Sequence, residues 1–229
     1  MTTLFNLENI SLRYGNVMAL TDCSLRVNAG EKLALIGANG SGKSSLLRVL
    51  HGQLAPTKGH MQSPDRLRQA MLFQRPHMLR ASVQNNVALG LWLRGVPWRQ
   101  ARSDALAALD WVGLADLAQR NARALSGGQQ QRAALARAWC LKPQVMLLDE
   151  PTANLDPGAK REVEALMADF CAAGTTLIFS SHNLGQVKRL ASRVVYMEHG
   201  RLIADAPVHE FFNGPLDPAA ASFLKGELA

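Results

Sequence analysis

Hydrophobic residues fall along this chain in two regimes. Lys32-Leu33-Ala34-Leu35-Ile36, Val145-Met146-Leu147-Leu148, Thr176-Leu177-Ile178-Phe179 and Arg193-Val194-Val195-Tyr196-Met197 are compact apolar runs. Their length and density suit strands buried on both faces, as in a parallel sheet. Residues 4–14 and 23–29 read as half-polar strands, Asn28 to Glu31 as a turn, and Gln69 to Phe73 as a further strand. Residues 54–70 are otherwise turn-rich. Ser44 to Leu50 reads as a helix with Leu46, Leu47 and Leu50 on one face and Gly52 as its stop. Between about Pro76 and Lys142 the period becomes helical, most clearly over Asp104–Val112 and Gln129–Trp139, and another helix is expected near Gly158–Ala172. Strands alternating with helices predict an α/β fold in which the helical stretch is an insert rather than a separate domain.

Composition narrows this picture. With 48% hydrophobic residues but 6% aromatic ones, the core of the 229-residue chain must be mainly aliphatic. The formal charge of +7, from 25 basic and 18 acidic residues, invites a polyanionic partner. The charges are scattered without a basic run, which disfavours a nucleic-acid tail. Cys23, Cys140 and Cys171 are too few and too far apart for a disulfide framework or zinc site, and are expected as packing residues in a reducing compartment. The N-terminus has no signal-peptide pattern, and no apolar stretch reaches the ~18–20 residues of a spanning helix. A soluble protein with at most a peripheral membrane role is expected.

Three segments carry chemistry. Gly37-Ala38-Asn39-Gly40-Ser41-Gly42-Lys43-Ser44 fits G-x-x-x-x-G-K-[ST] between a strand and a helix. Glycines let the backbone turn its N–H groups toward an anion, and the helix adds the positive end of its dipole. Lys43 is placed for β- and γ-phosphates and Ser44 for magnesium. Val145 to Leu148 ends in Asp149-Glu150, where carboxylates enter the crevice at the strand ends. Asp149 is a magnesium partner through water, and Glu150 a general base or polarising acceptor for the attacking water. Leu125-Ser126-Gly127-Gly128-Gln129 opens a helix, with Ser126 as N-cap, and makes a second anion site free to meet a γ-phosphate offered by another molecule.

In this order and spacing, the three segments resemble those of ATP-binding cassette (ABC) ATPases across essentially the whole chain. The resemblance implies a P-loop NTPase cassette. It has a mostly parallel core sheet, an antiparallel β subdomain and an inserted helical subdomain of about 76–142, with the core at 1–75 and 143–229. It assigns adenine stacking to Tyr14 and phosphate contacts to Gly37 through Ser45. Gln74 would sense magnesium and water, and His182 would contact the γ-phosphate. Asp156, within Asn154-Leu155-Asp156, is the expected key residue of a loop communicating across a dimer. It also implies a head-to-tail homodimer in which Ser126, Gly127, Gly128 and Gln129 of one subunit close on ATP bound to the other. Catalysis would rest on Glu150, His182 and Gln74, with magnesium at Ser44, Gln74 and Asp149.

One cassette, no fused spanning segment and no coiled-coil insertion favour an importer ATPase, bound to permease subunits on the inner face of the cell membrane. A substrate-binding protein would act indirectly, and no nucleic acid is expected. Gln74-Arg75-Pro76, Leu79 to Val83 and the Ala221–Leu228 tail resemble small-oxyanion importers, tungstate types first. A polar amino-acid importer is the alternative, followed by a non-import ATPase of the cell-division or lipoprotein-release type. Met78, Leu79 and Trp92 are candidates either for a groove that receives a permease helix or for core, whereas Trp98, Trp111 and Trp139 are assigned to packing. His51, His60, His77, His199 and His209 have no metal-like grouping. Arg80, Arg94, Arg99, Arg102, Arg120 and Arg123 are read as surface charge suited to an anionic membrane face.

Overall fold

The computed structural model describes residues 2–65, 67–215 and 217–228. In chain order the elements are β1 (Thr3–Tyr14), β2 (Val17–Asn28), β3 (Lys32–Ile36), α1 (Lys43–Leu50), β4 (Lys58–Gln62) and β5 (Gln69–Leu72). There follow α2 (Val83–Trp92), α3 (Trp98–Trp111), α4 (Gly127–Cys140), β6 (Val145–Leu148), α5 (Pro157–Ala172) and β7 (Thr176–Ser180). The chain closes with α6 (Leu184–Leu190), β8 (Arg193–Glu198), β9 (Arg201–Pro207), α7 (Val208–Asn213) and α8 (Pro218–Leu228).

One sheet runs β5-β6-β7-β3-β8-β9, parallel except for the antiparallel β8–β9 pair. The other, β2-β1-β4, is antiparallel. The larger sheet separates two hydrophobic clusters by strand alternation. Ala34, Ile36, Met146, Leu148, Leu177 and Phe179 face the cluster shared with α2 through α8. Leu33, Leu35, Val145, Leu147 and Ile178 face α1 and the small sheet. The four apolar runs are therefore buried on both faces, as their composition predicts.

The remaining elements were harder to read. β4 lies within the stretch expected to be turn-rich. Its residues Lys58-Gly59-His60-Met61-Gln62 are nearly all exposed, so no apolar alternation marks them. β2 begins at Val17, six residues before the expected start, because its exposed first residues pair with Tyr14 and Arg13 across a tight turn. α3 starts at Trp98, after Pro97, and includes Asp104–Trp111 of the stretch with the clearest helical period.

Small residues let α3 and α4 approach closely, with Ala101, Ala105, Ala108, Ala133, Ala134 and Ala138 buried between neighbours. Trp111 and Trp139 stack at 4.3 Å, and both meet the ring of Phe170 edge-on, at 5.7 and 5.0 Å. These two tryptophans do pack. Trp98 is 40% exposed and rests on the half-exposed Trp92 at 6.3 Å, so neither belongs to the core. Met78 is buried core and Leu79 is 50% exposed. The arginines divide similarly. Arg94, Arg102 and Arg123 also donate to the neutral oxygens Leu141 O, Gln84 Oε1 and Met78 O, so they brace the helical segment while keeping their charge. All three cysteines are free, and burial pushes the Cys140 thiol up to about 11.

Phe170 is fully buried where α3, α4 and α5 meet. Phe170→Ala is expected to cost about 3–5 kcal/mol in urea unfolding. A loss below about 1 kcal/mol would show that the three helices do not depend on this contact.

Candidate active site

The phosphate loop follows β3 at the C-terminal edge of the parallel strands, with β7 and β8 on either side. Two glycines are required by space as well as dihedral angle. Gly37 has φ 141°, and a side chain there would strike the carbonyl of Met197. Gly42 has φ 105°, and an added Cβ would lie 2.7 Å from Ala19 O. The loop curls around Lys43, whose buried Nζ donates to Gly37 O at 2.7 Å, Ala38 O at 2.9 Å and Ser41 Oγ at 3.4 Å. No side chain caps α1 at Gly42, so its first-turn N–H groups remain open to an anion.

Across the cleft, β6 delivers Asp149 and Glu150. Asp149 is buried, and its Oδ1 accepts from Ser44 Oγ at 2.9 Å and Ser180 Oγ at 2.8 Å. Ser180 Oγ in turn accepts the Glu150 N–H at 2.8 Å. This relay holds Glu150 in a left-handed conformation, φ 45°, and Glu150 Oε2 lies 3.0 Å from Nδ1 of the exposed His182. Ser180 was not anticipated. The available signal was register, because Leu148 pairs with Phe179 and so places the next two residues side by side.

Tyr14, Asn39 to Ser45, Gln74, Asp149 and Glu150 line one cleft of about 320 Å3. Gly37 and Ala38 contribute through the carbonyls that hold Lys43. Tyr14 is 43% exposed at the end of β1, where it lines the cleft. The donor set suits magnesium, since the Ser44 hydroxyl and Asp149 carboxylate already converge within hydrogen-bond distance and both supply hard oxygen ligands.

Ser126 through Gln129 stand apart from this cleft. Ser126 and Gln129 form a reciprocal capping box, Gln129 N donating to Ser126 Oγ at 3.3 Å and Ser126 N to Gln129 Oε1 at 3.0 Å. Ser126 and Gly127 are exposed. Gly128 packs against the start of α5, where an added Cβ would lie 2.7 Å from Ala159 Cβ. Asp156 caps α5 by accepting from Gly158 N and Ala159 N, both at 2.9 Å. The Ala159 N–H is the main force holding its carboxyl below the ordinary aspartate value, helped by Gly158 and Arg161. The structure thus gives Asp156 a local capping role and joins it mechanically to the glycine pair.

A second groove of about 800 Å3 shares Ser44, Gln74 and Asp149 with the cleft and continues past Arg48, Phe73, Arg75, His77, Leu79 and Arg137. Buried Asn86 holds its lip, accepting Leu79 N–H at 2.7 Å and donating to Ala81 O and Ser82 O. Of the three groove candidates, only Leu79 lines it.

The family model described as ABC transporter matches residues 20–153. The chain is 35% identical over 238 residues to the glutamate/aspartate import ATP-binding protein GltL of Escherichia coli, covering 96% of this chain and 98% of that protein. It is 34% identical to the phosphate import ATP-binding protein PstB 1 of Vibrio cholerae, covering 98% and 90%. Among solved structures, cbiO1 from Clostridium perfringens, part of the ABC transporter complex cbiONQ, superposes with a TM-score of 0.82 at 28% identity, covering 93% and 91%. A dimeric post-hydrolysis ATP-binding cassette, MJ0796 with ADP and Pi, gives 0.81 at 25% identity, covering 90% and 99%.

Gly42→Ala is expected to weaken ATP binding by about tenfold or more in calorimetry, because the loop must shift off Ala19 O. Unchanged affinity would show that the loop shifts freely. The Asp156 carboxyl should titrate below the ordinary aspartate value in carbon-detected NMR. Its capping contribution is therefore complete at neutral pH and lost only as pH falls through that depressed value. An ordinary or raised value would contradict the capping geometry.

Proposed function

Because the chain belongs to the ABC transporter family, we propose that it is the ATP-hydrolysing subunit of an importer and works as a head-to-tail dimer. The observation that carries this reading is the division of anion-binding parts. Lys43, Ser44, Asp149 and Glu150 gather at one cleft, with His182 against Glu150, while Ser126 and Gly127 face solvent elsewhere. A second copy brings its Ser126–Gln129 helix start and Asp156 loop onto the open cleft.

In the closed dimer, Tyr14 stacks on adenine and the loop N–H groups with Lys43 hold the phosphates. Ser44, Gln74 and, through water, Asp149 would hold magnesium, and the cation would draw charge from the phosphate oxygens. Glu150 orients the water and accepts its proton. His182, poised on Glu150 Oε2, turns its exposed ring to the γ-phosphate, and the α1 N-terminus stabilises the departing charge. The core comprises 1–75 and 143–229, and the helical subdomain about 76–142.

Among the described residues no helix is long and apolar enough to cross a membrane. The similarity to importer ATP-binding proteins and to a component of an ABC transporter complex supports a channel formed by permease subunits in other chains. The protein sits on the inner face of the cell membrane, and a substrate-binding protein acts at one remove. The groove past Leu79 receives a permease segment, and its cations Arg48, Arg75 and Arg137 favour one with a carboxylate beside apolar residues.

A polar amino acid is the better-supported cargo. The similarity to GltL outweighs the short motifs that suggested tungstate, which finds no support among these relatives, and the similarity to PstB 1 keeps phosphate as the second reading.

Glu150→Gln is expected to bind ATP normally, lose about a hundredfold or more of turnover, and accumulate as an ATP-bound dimer on gel filtration. Near-normal turnover would remove Glu150 from the mechanism. In vesicles carrying the chain with its permease and binding protein, ATP-driven uptake of glutamate or glutamine is expected. Uptake of phosphate or tungstate instead would overturn the amino-acid assignment.

A further inference from the structure

A cavity of about 400 Å3 lies on the other side of the molecule, at the N-terminal ends of β6 and β7. Its apolar wall is aromatic: fully buried Phe170 and the half-buried indole of Trp139, which the Trp111 stack holds in place. Its rim is cationic, formed by Arg68 and Lys142, and among the described residues no carboxylate lines it.

The frame is rigid. Gln144 N donates to Arg68 O at 2.8 Å, Arg68 N to Gln144 Oε1 at 3.1 Å, and Arg68 Nε to Lys142 O at 3.0 Å. Lys142 is fixed at φ 45° with its N–H on Trp139 O at 2.9 Å, and Thr175 Oγ1 closes the far side on Pro143 O at 3.1 Å. The backbone around the two cations is thus committed, while the Lys142 ammonium and the Arg68 Nη groups have no ion-pair partner among the described residues. Two adjacent positive charges over an aromatic wall form a site for a flat apolar body carrying one negative charge.

We propose that this cavity binds a small aryl or similarly flat organic carboxylate, with its body against Trp139 and Phe170 and its carboxylate between Arg68 and Lys142. The site is independent of the nucleotide cleft. It lies where α4, whose far end carries Ser126 to Gly128, turns into β6, whose far end carries Asp149 and Glu150.

The test uses 3-phenylpropionate as probe on the full chain, by calorimetry and amide NMR, with neutral 3-phenylpropanamide beside it. Arg68→Gln combined with Lys142→Asn removes both charges, and asparagine tolerates the left-handed backbone at 142. ATP affinity checks that this variant is folded. Expected are saturable binding, amide shifts centred on Gly174 and Thr175, and affinity about tenfold weaker for the double variant and for the amide. The proposal is overturned by any of three results: no saturation up to about 10 mM, equal affinity in the folded double variant, or shifts centred elsewhere.

Discussion

The arrangement depends on holding one positive charge inside a loop built on three glycines. Lys43 is buried, and a buried ammonium is tolerated only if oxygen atoms surround it. The loop supplies them by curling two backbone carbonyls and one hydroxyl onto Nζ. That curl needs Gly37 and Gly42, because the neighbouring carbonyls of Met197 and Ala19 leave no room for a Cβ. Those carbonyls are set in turn by β8 and β2, so the small sheet, the large sheet and α1 all bear on the loop. The result is a concentrated positive potential at the strand ends, next to the carboxylates of β6.

The same economy explains the opposite wall. Asp149 is satisfied by two serine hydroxyls from different elements, Ser44 on α1 and Ser180 on β7. The Ser180 hydroxyl also takes the Glu150 N–H, which places the Glu150 carboxylate against His182. Ser44, Asp149, Ser180, Glu150 and His182, the groups proposed to meet phosphate, cation and water, are thus coupled through a short hydrogen-bond chain. The Ser126–Gly128 helix start belongs to a separate surface. Its capping box and its packing on Ala159 make it rigid before any partner arrives.

Legibility followed burial. The phosphate loop, the Asp149-Glu150 strand end and the four doubly buried strands stand out because a parallel sheet leaves no polar alternation and a phosphate loop leaves no freedom in its glycines. β4 was hidden because its exposed edge position imposes no hydrophobic period. Ser180 was hidden because its role arises from strand register rather than from any motif. The tryptophans show the same limit: composition cannot separate Trp139, locked in a three-ring cluster, from Trp98, whose ring meets the exposed ring of Trp92. The cargo was the least legible feature: the short motifs that suggested tungstate find no support in the similarity to GltL or PstB 1.

The central claim is that each nucleotide site is completed by a second copy of the chain. It is tested most directly by ATP turnover per chain measured across a dilution series spanning monomer and dimer, with ATP binding followed in parallel. The account predicts that binding per chain stays constant while turnover per chain rises with concentration and levels off as the dimer saturates. Full turnover in a strictly monomeric preparation, independent of concentration, would contradict it.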